Sequence, residues 1–219
     1  MSAHPSVGRA GIVAAAPVLL LLAFAYHPYI ARLNNDAAVA VELTGDKIRW
    51  GLSHLAVGVA SGLLLLALLT VIGQLHEVGE HTCSTLATPF LVLGSTLFVL
   101  LPAMEIGALA AAEAGADVPV VLDELNTWFV PVLLAASLTF AIGVAILARG
   151  IRHSGLLSRR STGIVVAALL VMAGARFVPF GAALYVSGAA GVVALWPIAH
   201  WMWTTAPASV DIGRVRTRS

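Results

Sequence analysis

Apolar residues run along this chain in long blocks, and the short stretches between the blocks hold nearly all of its charge. Six blocks stand out, at about 11–31, 51–73, 87–112, 127–148, 162–185 and 188–204. Roughly 20 apolar residues cross a hydrocarbon core of ~30 Å as a helix. In lipid the backbone must satisfy its own hydrogen bonds, which a helix does within one segment. The pattern therefore predicts an all-α, polytopic membrane bundle of six transmembrane helices. It is a single unit, because no polar segment between the blocks is long enough to bury a core of its own.

Lysine and arginine sort between the connections. Arg9, Arg149, Arg152, Arg159, Arg160 and the tail residues Arg214, Arg216 and Arg218 fall on one side, whereas Arg32, Lys47 and Arg49 fall on the other. The second side also holds the acidic stretch Glu113, Asp117, Asp123 and Glu124. The positive-inside rule then places both termini, with the basic tail 205–219, in the cytoplasm and the bundle in the plasma membrane. Tyr26, Tyr29, Trp50, Trp128 and Tyr185 mark one interface, Trp201 and Trp203 the other. The start imitates a signal peptide, with Arg9, an apolar run and Ala-Phe-Ala at 23–25. The run continues as Tyr-His-Pro-Tyr-Ile, an interfacial ending that suits a retained helix.

Composition agrees: 59% of residues are hydrophobic and 11% charged, where soluble domains carry about 25% charge. A single cysteine, Cys83, excludes an internal disulfide. No nucleic-acid motif or large basic face is present, and membrane lipids are the expected partners. The two halves share no pattern of polar residues, so the echo of an inverted-repeat transporter is missing.

The informative residues are the polar ones inside the blocks. Arg176 stands in Leu-Leu-Val-Met-Ala-Gly-Ala-Arg-Phe-Val-Pro-Phe, near the middle of the fifth predicted span. Glu105 lies roughly 9 Å outward of the centre of the third, at 1.5 Å per helical residue. His54 is in the first outer turn of the second span, His27 in the last outer turn of the first, and Asn126 opens the fourth. An uncompensated charge in hydrocarbon costs between about 3 and more than 10 kcal/mol. Arg176 can reach outward along its long stem. The expectation is a Glu105–Arg176 ion pair at the floor of an outward-opening polar pocket, with Pro102 and Pro179 widening the space by kinking their helices. Glu105 and His54 are then the candidate acid–base groups, and Arg176, His27, Trp50 and Asn126 the candidate binding groups. Simpler roles compete: a charge pair can be a lock that fixes helix register, the histidines can be interfacial, and Asn126 can cap its helix.

Two motifs suggest metals. His-Glu-Val-Gly-Glu-His-Thr-Cys at 76–83 puts its histidines five apart, whereas a zincin helix needs them four apart; no metal site is assigned. His27 and His54, on adjacent spans at similar height, are compatible with a b-type haem, so whether a cofactor is bound stays open.

His-Pro at 27–28, Trp-Gly-Leu-Ser-His-Leu at 50–55 and Met-Glu-Ile-Gly at 104–107 resemble a loose group of actinobacterial multi-pass membrane proteins without an assigned activity. The likeness covers the first half of the chain and points to His27, Trp50, His54 and Glu105. It implies no reaction. Two functions remain. One is a pocket that binds, or processes by acid–base chemistry, a lipid- or isoprenoid-like amphipathic molecule. The other is a non-enzymatic component, such as a haem protein, transporter subunit or accessory protein, whose charge pair is structural.

Overall fold

In the computed structural model, which describes residues 5–205, every regular element is helical: α1 (Pro5–Tyr26), α2 (Asp36–Gly45), α3 (Lys47–Glu77), α4 (Thr82–Glu113), α5 (Val118–Ser154), α6 (Arg159–Gly174), a 3-10 turn (Ala175–Phe177) and α7 (Gly181–Thr205). Six of these helices are long and apolar enough to cross a membrane, which makes the chain a multi-pass membrane protein. The basic tail lies outside the described residues.

Consecutive spans pack side by side and α7 closes against α1, so the six form a ring. Neighbours run antiparallel. Arg9 near the start of α1 meets Glu77 at the end of α3 at 2.6 Å. Trp196 of α7 donates to the carbonyl of Ala14 on α1 at 3.2 Å. Small residues set the closest approaches, as is usual where lipid offers no hydrophobic drive. A Cβ on Gly94 of α4 would lie 2.5 Å from the backbone nitrogen of Phe140, and one on Gly143 of α5 would lie 2.9 Å from that of Leu91. These two glycines seat α4 directly on α5. Far from α2 the interior is filled by Leu64, Leu68, Leu91, Leu147, Leu169 and their neighbours, all almost fully buried.

The boundaries differ from the hydropathy reading in three ways. Helices of 31, 32 and 37 residues (α3, α4, α5) carry polar ends beyond their apolar middles, at ~1.5 Å per residue longer than the hydrocarbon is thick. The acidic stretch before residue 127 is thus largely the first turns of α5, with Pro119 in the first turn, where its missing N–H costs nothing. The connection between the first two spans holds a short helix, α2, started by the Asn35 side chain accepting from Ala38 N at 3.2 Å. It lies across the ends of α3, α4 and α5. The fifth span, α6 and its 3-10 turn, stops at Phe177 instead of running to 185, and the sixth begins at Gly181. Pro179 explains this, because a residue before proline is driven out of helical geometry, and Val178 is extended at φ −100, ψ 115. Pro179 ends a helix where a kink was expected. The freed strand-like segment pairs with the α1–α2 connection through Leu33 N to Pro179 O at 3.0 Å and Gly181 N to Ala31 O at 3.3 Å.

Candidate functional site

At the α2 end of the ring, α1, α3 and α4 are consecutive neighbours, and each supplies one polar side chain at the same height. His54, two turns into α3, is held on both sides. Its Nδ1 is 2.7 Å from the carbonyl of Trp50 one turn back, and its Nε2 is 2.8 Å from Oε2 of Glu105 on α4. A carbonyl and a carboxylate only accept, so this bonding puts hydrogen on both ring nitrogens and makes the pair an imidazolium facing a carboxylate. His27, just past α1, turns Nδ1 to the carbonyl of Pro28 at 2.7 Å and Nε2 to His54 Nε2 at 3.3 Å. With Nδ1 donating, Nε2 accepts. The one hydrogen on His54 Nε2 thus lies between Glu105 Oε2 and His27 Nε2, and the three side chains meet at it, with tautomers assigned from the acceptors.

Trp50 fixes this cluster from behind. Its ring lies 4.4 Å from that of His54, and its Nε1 donates to the carbonyl of Glu105 at 3.4 Å. Its exposure is 0%, and it is not among the residues that face the neighbouring cavity. The expectation that Trp50 binds a ligand is corrected: it is a buried support.

The cavity beside the cluster measures about 340 Å³. Phe24, Val57, Phe98, Leu101 and Leu133 give it an apolar wall, and His27, His54, Glu105, Asn126, Arg176 and Ser187 its polar lining. The expected helix-capping role of Asn126 is corrected, since α5 begins at Val118. Asn126 instead donates to both carboxylate oxygens of Asp36, at 3.0 and 3.1 Å, which ties the start of α2 to α5.

The expected Glu105–Arg176 ion pair is not formed. Glu105 is engaged by His54, and among the described residues no carboxylate lies within 4.0 Å of the guanidinium. Height is the reason: seven residues, about 10 Å of helix, separate Glu105 from Phe98, the α4 side chain that meets Arg176. Its guanidinium carbon lies 3.7 Å over the centroid of Phe140 and 4.2 Å over that of Phe98. A desolvated cation over an aromatic face gains about 2 kcal/mol. Its Nε and Nη1 are shielded from solvent and have no hydrogen-bond partner. Proximity survives without contact: both charges line the same cavity. Sequence reasoning missed the two phenylalanines. Phe98 stands seven residues before Glu105, on the same face of α4, and that spacing was the available signal.

A haem between His27 and His54 does not fit. Their rings touch at a centroid distance of 4.7 Å, and Glu105 takes the other side of His54 Nε2, which leaves no gap for a macrocycle. The 76–83 motif has a local role. Burial opposes ionisation of Glu80, but N–H groups of Cys83 and Ser84, at 2.8 and 2.9 Å, outweigh it and hold the carboxyl below its usual range. Glu80 thereby caps α4, whose nominal cap residue, His81, makes no side-chain bond.

Compared with known proteins, the chain matches no family model, no curated protein and no solved structure.

Proposed function

We propose that this membrane protein takes a lipid- or isoprenoid-like amphipathic molecule into the cavity and that the His54–Glu105 pair handles a proton there. In this reading both termini are cytoplasmic, the membrane is the plasma membrane and the α2 end faces outward. One observation carries it: a hydrogen-bonded acid–base pair of 2.8 Å opens onto a largely apolar cavity of about 340 Å³, within the size range of small-molecule sites. A proton relay of this kind contributes typically 10²–10⁴-fold when it meets a reacting group. Mass spectrometry of small molecules retained by the detergent-purified protein tests the reading. Wild type is expected to retain an amphipathic molecule that Glu105→Gln loses; equal retention by both would remove the support.

The Trp50 bracket favours a second reading, in which the pair clamps α1, α3 and α4 and turns nothing over. A buried pair that is architectural is strongly hurt by losing one partner and less by losing both. Failure of His54→Leu and Glu105→Leu to accumulate, with recovery in the double variant, would select this clamp.

A further inference from the structure

We infer that the ligand of this cavity is an amphipathic molecule with a single negative charge, and that Arg176 is its counter-ion; this rests on the amphipathic reading above. The argument is a charge count over the groups that line the cavity. His54 and Glu105, an imidazolium facing a carboxylate, sum to zero. His27 is neutral, because its Nδ1 donates to Pro28 and its Nε2 accepts from His54. Arg176 therefore leaves the lining with one uncompensated positive charge.

The surroundings of Arg176 attract that charge without cancelling it. The faces of Phe98 and Phe140 offer quadrupoles, and a quadrupole accepts no N–H in the guanidinium plane. Nε and Nη1 remain shielded and unbonded, although a buried donor without a partner is costly. Each of these two groups shares an edge of the guanidinium fork with Nη2, and either edge can receive an oxyanion through parallel bonds. A carboxylate or a phosphodiester brings one charge and the required acceptors. An alcohol brings no charge, and a phosphate monoester brings about one and a half to two, which leaves the cavity negative. The apolar wall suits a hydrocarbon body.

Binding to the full-length protein in a neutral detergent tests this, with radiolabelled palmitate as the probe. Unlabelled palmitate, hexadecanol, hexadecyl phosphate, phosphatidylglycerol and phosphatidylcholine serve as competitors. Palmitate is expected to bind about 10- to 100-fold more tightly than hexadecanol, the ratio for a charge-assisted hydrogen bond in a dry site. Hexadecyl phosphate should fall below palmitate. If phosphatidylglycerol, but not phosphatidylcholine, binds more tightly than palmitate, the single charge is supplied by a phosphodiester lipid. Arg176→Gln should bring palmitate down to the level of hexadecanol. Because that ratio is read first on wild type, a variant that fails to fold does not spare the inference. Hexadecanol binding wild type as tightly as palmitate would overturn the monoanion while leaving the amphipathic reading standing. No binding by any of the five would remove both.

Discussion

A cation that is always charged, set between two phenylalanines with two of its nitrogens unbonded, is a poor choice for stability alone. Removing an uncompensated buried charge in favour of an apolar side chain of similar length is often neutral or stabilising. Arg176→Met is therefore expected to leave the Tm in detergent unchanged or raised, checked by a thermal melt followed by size-exclusion chromatography. A clear fall would mean that the guanidinium is bonded in the native state. Sequence alone named His27, His54, Glu105, Asn126 and Arg176, all of which line one cavity, because intramembrane polar residues are rare enough to be conspicuous. Who bonds whom was not legible. That depends on which helices are neighbours, and Glu105 met His54 because α3 borders α4. Trp50 was conspicuous as an interfacial aromatic, yet its burial behind the histidines depends on α2, which hydropathy does not show.

Among the elements, the α4–α5 contact is the tightest. Gly94→Ala would drive a methyl group into the backbone of Phe140, which cannot move aside as a flexible side chain can. Overpacking of this kind typically costs about 1–3 kcal/mol, and here it also shifts a ring that carries Arg176. Gly62→Ala is the matched control: nothing lies within 4 Å of its Cβ, so it should be neutral or gain up to about 1 kcal/mol of helix propensity. Thermal melts of the two variants check the contrast. At the start of α4, Glu80→Gln weakens the cap, with a loss of about 1 kcal/mol at neutral pH. The folded carboxyl ionises below its ordinary 4.5. Its contribution is therefore complete above that value and is lost as pH falls through the lower, folded one. Wild type and Glu80→Gln should differ in Tm at pH 7 and converge as pH falls through the lowered, folded value of the Glu80 carboxyl. The six spans themselves were legible in number, since each apolar block holds most of one helix of the ring, although the fifth block also takes in the first residues of α7. Their ends were not, because hydropathy reports where lipid-compatible residues stop, and polar turns continue α3, α4 and α5 past that point.

For the whole molecule, the expectation of cytoplasmic termini has a direct measurement. In a Cys83→Ser background, Ala116→Cys lies in an exposed turn at the α2 end and Ser158→Cys in an exposed turn at the other. A membrane-impermeant maleimide added to intact cells should label the first, and reach the second only after permeabilisation. The reverse pattern would invert the bundle. The backbone pairing of residues 31–33 with 179–181 carries a mechanical consequence. One partner leads directly into α2, which covers the bundle end, and the other follows Arg176 by only a few residues. Any outward swing of α2 would have to break these two bonds or drag the segment beside Arg176 along with it. The helix over the bundle end and the buried cation are thereby mechanically tied, and a cross-link between the two segments would make that tie permanent.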